Sequence, residues 1–415
     1  MGDDGRVSDR PDAVDVGRIA VAAEAIRGAV VRTPVALSQT LSDITGATVF
    51  VKFENLQFTG SYKERGALFR LLNLDEGAQR RGVVTASAGN FAQAVAYHAS
   101  RLKIPATIVM PAGTPSIKVG RCEGFGASIV LKGNGFDEAS AQARSLASDD
   151  GLTYLSAFDD PDVVAGQGTT ALEFLDDVPD LDVLVVPVGG GGLLSGMAVV
   201  ARSRLPDIEL VGVQSERYPA MVAALTGAEL ESGGPTIAEG IAVASPGQLT
   251  REILKTTGCE VVTVPEARIE EAVCLYLEVE KTVAEGAGAA GLAALREYPE
   301  RFRGRRVGLV LSGGNIGLLL LASVITRGMI RSDRLLQLTV DLPDSPGSLG
   351  ALTALLGTTG ANIIDVSHER RRLEIPSRMA QVNLTVETRG APHAAEIVEQ
   401  LRGAGYSVSV APPSL

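Results

Sequence analysis

Short β-branched runs recur along most of this chain, and each is followed by a stretch typical of a helix. The pattern holds from about residue 16 to residue 330. Such alternation predicts an α/β fold with parallel sheets that carry helices on both faces. The predicted strands are 48–53, 82–86, 106–110, 127–131, 182–188, 210–214 and 306–311. Because ligands of such sheets bind beyond the carboxyl ends of the strands, the loops that follow these runs are candidates for the functional site.

After residue 330 the pattern changes to alternation of apolar and polar residues around two helical stretches. The order is strand, helix, strand, strand, helix, strand, which is that of the ferredoxin-like small domain. The strands are predicted at 335–341, 362–369, 379–387 and 406–410, and the helices at 347–357 and 392–402. The chain of 415 residues is therefore predicted to have a flexible N-terminus (1–15), an α/β domain (16–330) and a βαββαβ domain (331–415).

Composition excludes several classes of function. The net charge of -11 argues against nucleic acid or an anionic membrane surface as the main partner. The three cysteines, Cys122, Cys259 and Cys274, are far apart, so neither a disulfide framework nor a zinc site is indicated. With only three histidines, neither a Ser-His-Asp catalytic triad nor a histidine-rich metal site is expected. No signal peptide or membrane span is predicted, and we expect a soluble cytoplasmic protein that acts on small molecules.

Residues 60–67, GSYKERGA, place a lysine at the start of a predicted helix. Ser61 and Glu64 have the spacing of a capping box, which puts Lys63 in the first turn. The positive end of a helix disfavours a cation and favours the neutral amine. A neutral amine is a nucleophile toward aldehydes. A solvated surface lysine is the alternative, and this segment alone leaves it open.

Three other loops follow predicted strands. Gly189, Gly190, Gly191 and Gly192 precede Leu193 and a helix, so main-chain amides there could bind one phosphate group; a tight turn is the alternative. The stretch 87–93 (SAGNFAQ) offers a hydroxyl, a carboxamide and free amides for a carboxylate and a phenolic oxygen, although it also fits an ordinary helix start. The stretch 312–315 (SGGN) places a hydroxyl where it could face a ring nitrogen.

Together these segments match what pyridoxal 5'-phosphate requires. That cofactor needs a lysine for its aldehyde, amides for its phosphate, and partners for its ring oxygen and ring nitrogen. The combination is more specific than any member, and it favours Lys63 as a functional residue.

The same motifs resemble those of a known family, the serine/threonine dehydratases of the tryptophan synthase β fold. The resemblance covers about residues 16–330 and implies two parallel-sheet lobes, the smaller at about 55–160. The tail resembles a single ACT-type regulatory domain, as in the medium-length threonine ammonia-lyases. The motifs that carry the resemblance are GSYKERGA (60–67), SAGNFAQ (87–93), DDPDVVAGQG (159–168), GGGGL (189–193), EGAG (285–288) and SGGN (312–315).

The resemblance implies a role for each candidate residue. Lys63 would bind the cofactor aldehyde covalently and then act as acid and base at the substrate Cα. The implied cofactor-binding residues are Lys63, Phe53 against the ring, Asn90 at the ring hydroxyl, Gly189, Gly190, Gly191, Gly192 and Leu193 at the phosphate, and Ser312 at the ring nitrogen. The implied substrate-binding residues are Ser87, Ala88, Gly89, Asn90 and Phe91. The reaction would convert threonine to 2-oxobutanoate and ammonia, and serine to pyruvate.

Departures from the family pattern qualify these expectations. Phe91 replaces the usual histidine, so the substrate pocket should be more apolar. Ala88 stands where serine racemases have a second hydroxyl, so racemisation should be poor. Val222 replaces an acidic partner of Glu216, which argues against a metal there. The alternatives are a related enzyme of this cofactor class, such as a dehydratase of other specificity or a serine racemase, and a catalytically silent amino-acid sensor.

The resemblance also implies partners. An ACT-like tail is consistent with isoleucine or valine as effector and with a homodimer or homotetramer. A plain dimerisation module is the alternative reading of the tail.

Overall fold

The predicted alternation of strands and helices is present in the structure. It is a computed structural model that describes residues 14–370 and 377–410. The chain divides into two compact units, one up to Ile316 and the other from Gly317 onward. The predicted flexible N-terminus falls almost entirely outside the described residues.

The strands of the first unit agree with the predicted runs to within about one residue at each end. They are β1 (Val35–Ser38), β2 (Thr48–Phe53), β3 (Val83–Ala86), β4 (Ala106–Met110), β5 (Ser128–Leu131), β6 (Thr153–Tyr154), β7 (Val183–Pro187), β8 (Glu209–Ser215), β9 (Glu260–Val264) and β10 (Arg306–Leu311). The strands β1, β6 and β9 were not predicted.

The helices of the first unit lie between these strands, as expected for an α/β fold. They are α1 (Val16–Ile26), α2 (Gln39–Thr45), α3 (Lys63–Leu72), α4 (Glu76–Arg81), α5 (Asn90–Leu102), α6 (Ser116–Gly124), α7 (Phe136–Asp149), α8 (Pro161–Asp177), α9 (Gly192–Arg204), α10 (Ala220–Thr226), α11 (Gln248–Thr256), α12 (Glu266–Glu278), α13 (Gly286–Glu297) and α14 (Pro299–Phe302).

Two sheets organise the first unit. The larger sheet has the order β1-β2-β10-β7-β8-β9, and every pair in it is parallel except β1 with β2. The smaller sheet has the order β5-β4-β3-β6 and is parallel throughout. The predicted lobes with parallel sheets are therefore confirmed. Since β2, β7 and β10 are parallel neighbours, the loops after them emerge at one edge of the larger sheet.

Close packing fixes the start of α3 against α8. A side chain at Gly66 would bring a Cβ within 2.6 Å of the Val163 carbonyl oxygen, and one at Gly166 would lie 2.6 Å from the Gly66 Cα. These two helices can approach so closely only because both positions lack a side chain. This contact with the buried helix α8 fixes the position of the first turn of α3.

The second unit forms the predicted ferredoxin-like arrangement. It comprises α15 (Leu318–Arg331), β11 (Leu335–Pro343), α16 (Ser348–Thr358), β12 (Asn362–Glu369), β13 (Met379–Glu387), α17 (Ala391–Gly403) and β14 (Ser407–Val410). The sheet order is β12-β13-β11-β14, and its pairs are antiparallel. The boundary predicted near residue 330 would leave α15 with the α/β domain, whereas the division into compact units assigns α15 to the second unit.

Candidate active site

The lysine predicted to act as a nucleophile is the first residue of α3, but the predicted capping box is wrong. Tyr62 is the N-cap residue and makes no side-chain capping bond. Ser61 instead pairs through its main chain with Gly313, and its buried hydroxyl has no hydrogen-bond partner among the described residues. Glu64 accepts a hydrogen bond from the Thr59 main-chain N–H. The loop after β10, and not a local capping motif, determines where α3 begins.

The Lys63 amine lies half-buried beside aromatic rings. Its Nζ donates a 3.0 Å hydrogen bond to the Ala157 carbonyl oxygen. It is 5.0 Å from the centre of the Tyr62 ring and 5.9 Å from that of Phe91. No carboxylate of the described residues pairs with it. An amine without an ion-pair partner keeps its nucleophilic atom available for an incoming carbonyl group.

The glycine loop after β7 presents a row of unsatisfied main-chain donors. Val188 donates its N–H to Val213, and Ser195 donates to Gly191. Between them, none of the main-chain N–H groups from 189 to 194 has an acceptor among the described residues. Six adjacent free donors at the start of a helix of 13 residues are an arrangement that can bind an anion without a cation.

Neighbouring side chains leave no room for a side chain in this loop. A Cβ at Gly190 would lie 2.3 Å from the Phe158 ring, and one at Gly191 would lie 2.7 Å from Met221 and 2.8 Å from Thr250. Gly191 also has a left-handed backbone, with φ of +98°. The main chain, not a set of side chains, is therefore what a ligand meets here.

The loop after β3 contains the second predicted group. Ser87 accepts a hydrogen bond from the Gly89 N–H at 3.3 Å, and α5 begins at Asn90. The main-chain N–H groups of Ala88, Asn90, Phe91 and Ala92 have no acceptor among residues 14–370 and 377–410. Phe91 is 2% exposed and packs in the core of the small lobe. The loop thus offers free amides beside an apolar wall, as expected for a carboxylate subsite.

The loop after β10 connects these groups. The Ser312 carbonyl oxygen accepts a 3.1 Å hydrogen bond from the Tyr62 N–H, directly before Lys63. The Ser312 side chain is nearly buried, and its hydroxyl makes no hydrogen bond to a described residue. Phe53 ends β2 and pairs with Leu311. The rings that lie near the Lys63 amine are those of Tyr62 and Phe91, so the predicted ring contact of Phe53 stays a prediction.

Sequence reasoning assigned no role to Glu285, which precedes α13 and lies in the site. Its Oε1 accepts a 2.7 Å hydrogen bond from Asn90 Nδ2. Burial raises the pKa of this carboxyl to about 7. A Cβ at Gly313 would lie 2.6 Å from the same oxygen. The motif EGAG (285–288) had been recognised as part of the family resemblance, but no role followed from it for the acidic residue.

One ion pair and one charged hydrogen bond join the small lobe to the larger one near these loops. Lys118 of α6 pairs with Glu239 at 2.5 Å. Arg121, also on α6, donates to Asn315 Oδ1 at 3.3 Å. Lys118 is therefore paired with a carboxylate, whereas Arg121 bonds to a neutral amide. No cluster of histidine, cysteine and carboxylate residues that could hold a metal exists in the part of the chain that the structure describes.

Comparison with known proteins identifies the family. The family profile described as "pyridoxal-phosphate dependent enzyme" matches residues 26–313. The chain belongs to this family. The L-threonine ammonia-lyase of Thermotoga maritima is 43% identical over 387 residues, which cover 93% of this chain and 96% of that protein. The L-threo-3-hydroxyaspartate ammonia-lyase of a Pseudomonas species is 41% identical over 306 residues, which cover 73% of this chain and 96% of that protein.

A solved structure supports the same assignment. The processed form of threonine deaminase isoform 2 from Solanum lycopersicum superposes with a TM-score of 0.70 at 32% identity, covering 75% of this chain and 86% of that one. The fold is therefore the tryptophan synthase β-like fold of pyridoxal-phosphate enzymes. No helix of the described residues is long and apolar enough to span a membrane.

The residues present fit pyridoxal phosphate. The free donors from 189 to 194 suit its phosphate, and the Lys63 amine suits its aldehyde. Asn90 has a second N–H on Nδ2 without an acceptor among the described residues, and the Ser312 hydroxyl is likewise unengaged. The site therefore offers a group for the aldehyde, the phosphate, the ring oxygen and the ring nitrogen of the cofactor, and each of these groups has bonding capacity left within the described chain.

Proposed function

We propose that this protein is a threonine ammonia-lyase that converts L-threonine to 2-oxobutanoate and ammonia, and L-serine to pyruvate and ammonia. The observation that carries the proposal is the Lys63 amine, which has no carboxylate partner among the described residues and bonds to Ala157. The next residue, Phe158, packs against Gly190 in the loop with the free donors from 189 to 194. The relative from Thermotoga maritima supports the choice of threonine.

Each residue of the site has a task in this reaction. When bound, the cofactor supplies an electron sink that makes the Cα proton removable. Lys63 would take that proton as general base, and the β-hydroxyl would leave as water with one proton in exchange, so no net proton is gained or lost. The free amides around Asn90 would hold the substrate carboxylate, and the neutral hydroxyl of Ser312 would bond to the ring nitrogen. Hydrolysis of the product consumes one water, so threonine yields one 2-oxobutanoate and one ammonia.

The pocket favours a substrate with an apolar side chain. Phe91 is buried beside Lys63 and gives the site an apolar wall. A second carboxylate, as in 3-hydroxyaspartate, would lose its hydration against this ring without a hydrogen bond from it in return. The relative that acts on L-threo-3-hydroxyaspartate makes that compound the competing substrate to test.

The central experiment compares Lys63→Ala with Lys132→Ala, which changes an exposed lysine after β5. We expect Lys63→Ala to abolish ketoacid release and the visible absorption of lysine-bound cofactor, while Lys132→Ala keeps both. Ketoacid assays with threonine, serine and L-threo-3-hydroxyaspartate then rank the substrates. Full turnover of threonine by Lys63→Ala would refute the mechanism, and faster turnover of hydroxyaspartate would refute the substrate assignment.

The second unit supports a regulatory role. The 387 residues matched in the Thermotoga maritima protein exceed the 316 of the first unit, so the match extends into the second. A cavity of about 260 Å³ is lined by the loop 342–350 together with His368 and Arg370. Arg370 pairs with Asp344 at 3.2 Å, and His368 Nε2 is buried without a partner among the described residues. An acidic and a basic side chain beside Leu342 and Leu349 suit the ammonium group, carboxylate and apolar side chain of a free amino acid, and we take isoleucine or valine as the effector.

Equilibrium dialysis with isoleucine and valine tests this effector site. We expect binding to the intact protein to weaken in Asp344→Ala and to persist in Asp207→Ala, an exposed aspartate of the first unit. Equal binding by all three proteins would place the effector elsewhere. The predicted homodimer or homotetramer can be measured by light scattering in the same samples. The cytoplasmic location stays a prediction.

A further inference from the structure

Asn90 lies in a chain of hydrogen bonds that fixes both ends of its carboxamide. The chain begins at Asn315, whose Nδ2 donates to the Thr59 carbonyl oxygen at 2.7 Å. The Oδ1 of Asn315 accepts from Arg121 at 3.3 Å. A carbonyl oxygen can only accept and a guanidinium can only donate, so the orientation of the Asn315 amide is determined at both ends.

This orientation is passed on to Asn90. Asn315 Nδ2 donates to Asn90 Oδ1 at 2.8 Å, which makes that atom the oxygen. At the other end Asn90 Nδ2 donates to Glu285 Oε1 at 2.7 Å. Glu285 Oε1 accepts in this bond, so both neighbours are satisfied by the same orientation of Asn90. One N–H of Asn90 Nδ2 is used by Glu285, and the other is left for a ligand.

We propose that Glu285 is a positioning residue, which holds the Asn90 carboxamide so that its free N–H faces the ring hydroxyl oxygen of the cofactor. The inference rests on the proposed function, because it assumes that the cofactor lies beside Asn90. Without the carboxylate, Asn90 would keep only the bond from Asn315, and its amide would be free to rotate away from the ring.

The surroundings of Glu285 agree with a positioning role. The carboxylate is packed against Gly313, where any added Cβ would lie 2.6 Å from Oε1, and it lies near Gly240. Charged groups around it are Glu239, which opposes its ionisation, and Lys118, which favours it. The main-chain N–H of Asn315 also faces the Glu285 carboxyl group. A carboxylate can accept from both Asn90 and Asn315, whereas a glutamine would present an N–H₂ group to one of these donors.

The test uses the isosteric variant Glu285→Gln in the holoenzyme, together with Asn90→Ala and the double variant, at a pH well above 7, where Glu285 is ionised in the wild type and in Glu239→Gln. We expect Glu285→Gln to weaken binding of pyridoxal phosphate by about 5- to 30-fold, the cost of one mispaired buried hydrogen bond. We also expect the visible absorption spectrum of the bound cofactor to shift, because the hydrogen bond to its ring hydroxyl determines which tautomer is populated. The double variant should bind the cofactor no more weakly than Asn90→Ala, since both changes remove one interaction.

Two controls separate positioning from folding. Glu239→Gln removes a neighbouring charge and leaves the bond to Asn90 intact, so its spectrum should match that of the wild type. Circular dichroism and melting temperature show whether each variant is folded. A folded Glu285→Gln with wild-type spectrum and affinity would overturn the inference, and so would additive effects in the double variant.

The spectral readout does not depend on turnover. A wild type that binds the cofactor with a visible band but releases no ammonia from threonine would refute the proposed function alone. In that case the comparison of Glu285→Gln with Glu239→Gln would still support or overturn the role of Glu285.

Discussion

The glycine loop permits a sharp test, because the chain contains a matched control for its most strained residue. Gly191 has φ of +98°, and Gly227 has φ of +74° at the end of α10. An added Cβ at Gly191 would lie 2.7 Å from Met221, whereas nothing lies within 4 Å of one at Gly227. The two positions therefore share the backbone cost of alanine but differ in crowding.

The expected magnitudes follow from these two contributions. A left-handed backbone costs alanine about 1–2 kcal/mol relative to glycine. Overpacking a filled site costs about 1–3 kcal/mol more. Gly191→Ala should therefore lower the free energy of unfolding by about 2–5 kcal/mol, and Gly227→Ala by about 1–2 kcal/mol.

Urea unfolding of the cofactor-free protein at one temperature measures this difference. Titration with pyridoxal phosphate then shows whether the displaced loop still binds it, and we expect binding to be lost in Gly191→Ala only. Equal destabilisation by both substitutions would mean that the loop is not crowded. Unchanged cofactor affinity in Gly191→Ala would mean that the donors from 189 to 194 do not bind the phosphate.

Three further outcomes are expected. Arg65→Ala should destabilise the protein by about 3–5 kcal/mol, because it leaves the fully buried Glu54 without its guanidinium partner. In the same urea assay, Arg80→Ala should cost less than about 0.5 kcal/mol, because Arg80 and its partner Glu76 are both exposed. The raised pKa of Glu285, about 7, means that the folded state holds its proton more tightly than the unfolded state, whose pKa is 4.5. The free energy of unfolding should thus fall by up to about 3 kcal/mol as the pH rises from 4.5 to about 7. Glu285→Gln should remove this contribution and make the free energy of unfolding less dependent on pH in that window. An equal pH dependence in the wild type and the variant would contradict the raised pKa of Glu285. With Ala88 in place of a second hydroxyl, D-serine should form from L-serine at no more than about one hundredth of the rate of pyruvate, and Ala88→Ser should raise that fraction in a chiral assay.

The fold could be predicted from the sequence where strands are buried on both faces. The runs that became β4, β7 and β10 are largely apolar, contain valine and are buried along almost their whole length, so their bounds were recognisable. The strands β1 and β6 are short, with four and two residues, and they carry no long apolar run. Their pairing depends on neighbours from elsewhere in the chain.

The candidate site was predictable as a set of loops but not as a network. Glycine runs and a lysine after a strand are visible in any local window. The start of α3 was misplaced because Ser61 pairs with Gly313, a residue distant in the sequence. Glu285 was missed for the same reason, since its partner Asn90 lies 195 positions away. Local spacing cannot encode contacts that only the folded chain creates.

The row of free donors from 189 to 194 has a consequence for how this protein tolerates mutation. The atoms that would bind the phosphate belong to the main chain, and every amino acid except proline could supply them. The glycines at these positions matter because they have no side chain. A mutational scan would therefore show that larger residues are not tolerated, although no functional side chain is lost. A search for functional side chains would overlook such a site, because it requires the absence of side chains and not a particular chemical group.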